Sequence, residues 1–414
     1  MSVTITDSAR LWWSDRAFLK RYVVDLITSE LRRLRPGATQ LPSAPWPDTL
    51  AIDQDLGADS LELMQLAAAL AQALHMHEAG IEDYLLMRRT LDDWVEIAAN
   101  SLEIHSATIS FVTSGTIGIP KTCSHGVIVL LQEAAFLAAL FQGAKRLYFA
   151  VPSHHIYGFL FTILLPRMLR LDASSVIDLR TRLPSALPGI AEPGDLVIGH
   201  PEFWGASLQS GMRYATDVTG VTSTGPCSAE ICHALAAAGL RRLVQIYGSS
   251  ETGGIGWRAE PRAGYSLFPF WSRDPHSPEQ LNRMMLGHAV TSVTTPDRLE
   301  WLDDRHFMVA ARHDAAVQVG GVNVFPAHVA DLLKQHRLVG DAQVRLMRPD
   351  EGSRLKAFVV LAALARDTAA AREELRCWID ATMPVVQRPK ALTFGSAIPT
   401  NAMGKPCDWL IDGL

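Results

Sequence analysis

The run Thr113-Ser114-Gly115-Thr116-Ile117-Gly118-Ile119-Pro120-Lys121, set after the apolar, strand-like stretch 107–112, is where this chain concentrates groups suited to chemistry. Small residues let successive backbone N–H groups turn toward one anion, the hydroxyls of Thr113, Ser114 and Thr116 add donors, and Lys121 adds a positive charge. On composition alone such a run is either a plain turn or a nucleotide-phosphate loop. It is not a Walker loop, because the closing Gly-Lys-Ser/Thr is absent.

Three further segments follow downstream. They are Tyr247-Gly248-Ser249-Ser250-Glu251-Thr252, then Thr295-Pro296-Asp297 with Arg312-His313-Asp314, then Pro399-Thr400-Asn401-Ala402-Met403-Gly404-Lys405. In this order the four segments resemble the adenylate-forming superfamily of acyl- and aryl-CoA synthetases, peptide-synthetase adenylation domains and luciferases, over about residues 105–414. The resemblance implies that the loop with Thr113, Ser114, Gly115, Thr116, Gly118 and Lys121 wraps the β- and γ-phosphates of ATP. It implies that Tyr247 lies against adenine, Ser250 near the α-phosphate, and Glu251 on Mg²⁺, a hard oxygen ligand for a hard cation. Asp297 and Arg312 inherit ribose roles, since one carboxylate accepts from two adjacent hydroxyls, and Asp314 inherits that of a hinge. Lys405 inherits contact with the substrate carboxylate and the α-phosphate, where negative charge builds during adenylation. Pro296 and Ala311 stand where the family carries glycines.

The substrate pocket is expected around Val151-Pro152-Ser153-His154-His155-Ile156-Tyr157-Gly158, which resembles the acid-lining segment of CoA ligases. The segment lacks an Asp to pair with an α-ammonium group, and burying an unpaired ammonium is costly. The acid is therefore expected to lack an α-amine. The stretch 318–326 resembles the aryl-CoA-ligase pattern along the pantetheine tunnel and favours an aryl acid such as a hydroxybenzoate. His154, His155 and His200, with Gly248, are the candidate pocket residues; each histidine alone also fits a structural role.

The first hundred residues raise a different expectation. Leu56-Gly57-Ala58-Asp59-Ser60-Leu61 resembles the phosphopantetheine site of acyl carrier proteins, with Ser60 as the attachment point. The same residues also fit an ordinary N-capped helix, with Asp59 or Ser60 as cap. A sizeable amino-terminal subdomain normally precedes the phosphate loop in this superfamily. The region is thus either carrier-like or an abbreviated form of that subdomain.

The elements that must position these groups follow from pattern. Apolar residues at helical spacing mark helices at 17–34, 60–74 and 91–100. Short β-rich runs alternate with helical stretches over 105–310, which implies an α/β sheet buried on both faces. The remainder reads as a small α+β domain. The expected layout is a helical, carrier-like region over 1–102, a large ATP- and acid-binding α/β domain over 103–311, and a mobile α+β domain over 312–414. With 38 basic and 43 acidic residues the chain has no charge footprint for nucleic acid or an anionic membrane. Its five cysteines lack metal-ligand spacing and read as reduced thiols of a cytoplasmic protein, and no apolar run approaches a membrane span of about 20 residues.

Together these features predict an ATP- and Mg²⁺-dependent acid–thiol ligase that transfers an aryl group to the phosphopantetheine thiol of an acyl carrier protein. Two alternatives stand beside it: a ligase using free CoA, and a non-catalytic carrier or interaction protein with a degenerate ligase body.

Overall fold

The computed structural model describes residues 11–411 apart from 36–40, 43, 114–120, 278, 286–288, 313–315, 349, 363–367 and 401–406, and leaves out the side chains of Thr113, Ala311 and Arg312. The chain divides into two compact units, with the break in the carboxyl-terminal half between Ala310 and Ala311.

The larger unit is built on a nine-stranded sheet. In spatial order its strands are Asp297–Trp301, His306–Arg312, Tyr265–Leu267, Gly253–Arg258, Arg242–Ser249, Thr219–Thr222, Asp195–Gly199, Arg146–Phe149 and Val176–Asp178. From Arg242–Ser249 to Val176–Asp178 every pairing is parallel. On the other side, the pairings from Arg242–Ser249 through Gly253–Arg258 and Tyr265–Leu267 to His306–Arg312 are antiparallel. The strand that carries Tyr247 sits where the pairing changes sense. Leu147, Phe149, Leu196 and Ile198 enter one core while Tyr148 and Val197 enter a second, so the sheet is buried on both faces. That arrangement is what near-continuous apolar strands require.

Residues 11–104 do not form a carrier domain of their own. The helices Arg16–Leu34, Ser60–Leu74 and Leu91–Ile104 share one continuous core with the sheet, running from Trp12 to Phe307. Trp12 meets Phe159 edge-on at 5.0 Å, and Arg21 donates to the carbonyls of Thr162 and Val176 at 2.9 and 3.2 Å. The carrier-like reading of 1–102 as a separate body is therefore corrected: a phosphopantetheine carrier presents a surface of its own, whereas these helices are a wall of the ligase core. The Asp59-Ser60-Leu61-Glu62 motif has a local explanation. Asp59 accepts the Glu62 N–H at 2.8 Å and the Glu62 side chain accepts the Asp59 N–H at 3.2 Å. Such a capping box is worth about 1 kcal/mol to a helix. Ser60 is the first helical residue and is exposed.

The smaller unit has a hairpin, Val317–Val319 with Val322–Val324, turned by Gly320 and Gly321 at φ 59° and 75°. That is the glycine-dependent geometry of a two-residue hairpin turn. A three-stranded sheet, Val339–Leu346, Leu355–Leu361 and Ala391–Gly395, packs with the helices Pro326–Leu333 and Ala369–Thr382 around Val329, Leu333, Val359 and Leu375. Lys356, fully buried, binds Glu351 at 2.7 Å, Asp408 at 2.9 Å and the Trp409 carbonyl at 2.8 Å. It thereby anchors the chain just beyond residue 406. Among the described residues no helix is long and apolar enough to cross a membrane, and the five cysteines are free.

Candidate active site

Tyr247 donates its phenolic hydrogen to Asp297 Oδ2 at 2.7 Å, across 50 residues of sequence. Its ring meets Tyr265 at 5.7 Å and Phe307 at 5.5 Å, and those two stack on each other at 22°. An aromatic wall and a carboxylate thus stand side by side. Pro296 does not spoil the turn: Thr295 Oγ1 donates to the Asp297 carbonyl at 2.8 Å, and Asp297 is nearly buried. Arg312 ends the neighbouring strand, its side chain outside the description, and Asp314 lies outside the described residues.

The turn after Tyr247 is held from beneath. The carbonyl of Ser250 accepts from His125 Nε2 at 2.7 Å, so that nitrogen carries the hydrogen. Burial lowers the His125 pKa and keeps the ring neutral. The N–H of Gly254 donates to both oxygens of Glu133, each at 3.0 Å, and the Gly254 carbonyl accepts from Trp271 Nε1 at 2.9 Å. Gly248 has no room for a side chain, since a Cβ would lie 2.3 Å from the Gly253 carbonyl oxygen. Neither His125 nor Glu133 was among the expected residues. A signal for Glu133 does exist in the sequence: in the helix Val127–Leu140 only Gln132 and Glu133 are polar.

Thr113 ends, and Lys121 begins, a two-stranded ribbon, Thr108–Thr113 with Lys121–Gly126. Ser114, Gly115, Thr116 and Gly118 lie between them, outside the described residues. The ribbon's base is fixed by Ser110 Oγ to Ser124 Oγ at 2.8 Å, with His75 Nε2 on Ser110 Oγ at 2.8 Å. Lys405 likewise lies outside the described residues.

The segment expected to line the acid pocket hangs on the first long helix. Asp25 accepts from both the backbone N–H and the hydroxyl of Ser153 at 2.7 Å, and Arg180 bonds the other Asp25 oxygen at 2.6 Å. Beyond this anchor, the His154 and His155 rings lie 4.1 Å apart. Both nitrogens of His154 are buried without a hydrogen-bond partner among the described residues, and burial drives its pKa far down, so the ring is neutral. Burial among neighbouring groups lowers the pKa of His155 too, although the residue as a whole keeps solvent-exposed surface. Tyr157 ties the segment to the sheet through the Gly199 carbonyl at 3.0 Å. His200 caps the helix Pro201–Ser207, its Nδ1 accepting the Phe203 N–H at 3.4 Å, which gives it a structural task.

For Mg²⁺, the donor chemistry suits a shared site. Among the described residues no three His, Cys, Asp or Glu side chains cluster as a metal cage. Mg²⁺ needs none, because it keeps several waters and binds through one or two carboxylates plus substrate phosphates. Glu251, on the turn beside Ser250, offers one carboxylate of the kind such a site uses.

No protein-family model matches the chain. A 4-coumarate–CoA ligase of Halorhodospira halophila is 37% identical over 391 residues, 92% of this chain and 98% of its own length. Enzymes of the same name from Cereibacter sphaeroides and Rhodobacter capsulatus are 35% and 36% identical, over 95% and 94% of this chain and 97% and 100% of theirs. The chain belongs to the adenylate-forming CoA ligase family. The fold of this ligase agrees. The o-succinylbenzoate CoA synthetase of Bacillus subtilis superposes with a TM-score of 0.62 at 16% identity, covering 94% of this chain and 91% of that one. The amide bond synthetase McbA of Marinactinospora thermotolerans gives 0.57 at 17%, covering 94% and 92%.

Proposed function

We propose that this ligase activates a hydroxyaryl carboxylic acid of the 4-coumarate type with ATP and passes the acyl group to the thiol of CoA. The observation that carries this reading is end-to-end similarity to three 4-coumarate–CoA ligases of about the same length. It replaces the carrier-protein acceptor with CoA, and an arylpropenoate takes precedence over a hydroxybenzoate.

In the first half-reaction a carboxylate oxygen attacks the α-phosphorus, the bond to the β-phosphate oxygen breaks, and pyrophosphate leaves. In the second, the CoA sulfur attacks the acyl carbon, the bond to the phosphate oxygen breaks, and AMP leaves. Tyr247 packs on adenine and Asp297, with Arg312, holds the ribose. Ser250 faces the α-phosphate. Thr113, Ser114, Gly115, Thr116, Gly118 and Lys121 hold the leaving pyrophosphate, and Lys405 meets the charge that grows on the α-phosphate. Bound at Glu251, Mg²⁺ supplies neutralisation of phosphate charge. Asp314 serves as the hinge between the two half-reactions. His154 and His155 line the acid pocket, where the unpartnered nitrogens of His154 suit a ring hydroxyl. Ser60 needs no prosthetic group in this scheme, its motif being a helix cap.

The test is acid-dependent ATP–pyrophosphate exchange over a panel of hydroxycinnamates, hydroxybenzoates and fatty acids, followed by thioester formation with CoA against a loaded carrier. Exchange with 4-coumarate and transfer to CoA is the expected result. No exchange with any acid refutes the enzyme reading, and transfer only to a carrier refutes the acceptor.

A further inference from the structure

The mechanism above leaves two buried polar groups without a task. Glu133 is 1% exposed and His125 8% exposed; His125 lies in the second strand of the ribbon, Lys121–Gly126, and Glu133 on the helix that follows it. A buried carboxyl in an otherwise apolar helix is costly unless something specific needs it. Its neighbours show what does.

Side chains bond four backbone groups between Ser250 and Gly254. His125 takes the Ser250 carbonyl, Thr252 Oγ1 donates to the Gly253 carbonyl at 2.7 Å, Glu133 takes the Gly254 N–H and Trp271 the Gly254 carbonyl. The Glu133 carboxyl also lies flat against the glycines. A Cβ on Gly253 would stand 2.8 Å from Oε2, and one on Gly254 2.3 Å from Oε1. Gly253 adopts φ +69°, a conformation that favours glycine. The carboxyl therefore occupies the space that two side chains would otherwise fill, where the chain re-enters the sheet at Gly253 after Glu251.

A buried cation lies within electrostatic reach of the carboxyl: Arg283 opposes, without cancelling, the rise in the Glu133 pKa that burial causes. Arg283 is held by Gln132 Oε1 at 3.2 Å and the Val129 carbonyl at 2.7 Å, both on the helix that carries Glu133. One helix thus supplies the anchor, the holder of its counter-charge and, through His125 just before its start, the second grip on the turn.

We infer that Glu133 and His125 are positioning residues for the adenylation step, clamping the Ser250–Gly254 turn so that the Ser250 hydroxyl and the Glu251 carboxylate are presented to the nucleotide phosphates in one geometry. The inference rests on the proposed roles of Ser250 and Glu251. It concerns residues that touch neither nucleotide nor acid, and it assigns the cost of burying Glu133 to preorganisation of the site.

The test uses the full-length protein and Glu133→Ala, Glu133→Gln, His125→Ala and His125→Gln, with cooperative thermal melting as the control for folding. Binding of α,β-methylene-ATP is measured by calorimetry with and without Mg²⁺, and exchange kinetics are split into kcat and KM. Glu133→Ala and His125→Ala are expected to weaken Mg²⁺-dependent binding of the analogue and to lower kcat by about tenfold or more each, a loss of the size expected when a hydrogen bond in a preorganised site is removed. Glu133→Gln keeps an acceptor for the Gly254 N–H and His125→Gln keeps a donor near the position of Nε2, so both are expected to recover most of the loss. If Glu133→Ala does not fold, the His125 pair decides. Folded alanine variants that bind and exchange like wild type overturn the inference, as do glutamine variants no better than the alanine ones. A wild type that binds the analogue but exchanges with no acid refutes the proposed function instead, and the calorimetry still reads the clamp.

Discussion

Tyr247 and Asp297 share a 2.7 Å hydrogen bond that joins the strand where the sheet changes sense to its outermost strand. The bond orients the ring and the carboxylate together, so the two proposed nucleotide contacts are coupled before ATP arrives. Tyr247→Phe is expected to keep the ring and lose this orientation, raising the KM for ATP by up to about tenfold, the value of one ordinary hydrogen bond. Asp297→Ala should raise it by roughly 10- to 100-fold, losing both the bond and the ribose acceptor. Initial-rate kinetics at saturating acid check both, and an unchanged KM in Asp297→Ala would sink the ribose role.

Asp25 belongs to the first long helix yet holds the acid-pocket segment. Removing it leaves the Ser153 N–H and one arm of Arg180 without their partner. Asp25→Ala is expected to lower stability by roughly 2–4 kcal/mol, below the fully buried limit because Arg180 is partly exposed. The KM for the acid should rise more than that for ATP. Urea titration and paired kinetics measure this; equal effects on both substrates would contradict it.

Gly248→Ala puts a methyl 2.3 Å from the Gly253 carbonyl oxygen and 2.8 Å from Gly254 Cα, both backbone atoms that cannot swing aside. The turn with Ser250 and Glu251 must shift. Misplacing catalytic groups by about 1 Å can cost on the order of 100-fold in rate. The exchange rate is therefore expected to collapse, while a cooperative melt persists at a somewhat lower temperature.

Burial raises the Glu133 pKa from 4.5 to about 7, so between those values the folded protein keeps a proton that the unfolded chain has released. Its contribution to stability is present in acid and is lost as pH rises through that window. Glu133→Gln cannot titrate. Relative to wild type the variant should gain stability from pH 5 to pH 8, by a total on the order of 3 kcal/mol. Urea midpoints across that range test the sign, and a variant that loses stability with rising pH would refute it.

The segments that carry Tyr247, Ser250, Glu251 and Asp297, proposed as the nucleotide side of the site, stand out in the sequence because they are short ordered runs whose residue types suit that chemistry. The alternation of strands and helices gave the α/β sheet for the same local reason. The supports were not legible. Glu133 and Gly254 are 121 residues apart, and Asp25 and Ser153 are 128 apart; no period or spacing links such pairs before the chain folds. The amino-terminal region misled in the opposite way. Its Asp-Ser-Leu-Glu run fits a carrier site and a capping box equally well at the level of sequence, and only the continuous core with Phe159 distinguishes them. His200 had the same ambiguity, and its Nδ1 accepts the Phe203 N–H as a helix cap would.

The change of pairing at Arg242–Ser249 also divides labour. Proposed acid contacts follow the parallel strand Arg146–Phe149 at His154 and His155, whereas Tyr247, Asp297 and the clamped turn belong to the switch strand and the antiparallel half. On the proposed function, substrate range and nucleotide handling fall in different stretches of chain. For protein engineering that proposal makes the segment 151–158, exchanged together with its helical anchor at Asp25, a cassette for transplantation. A library confined to that cassette is then expected to change the acid while leaving ATP binding as in the parent.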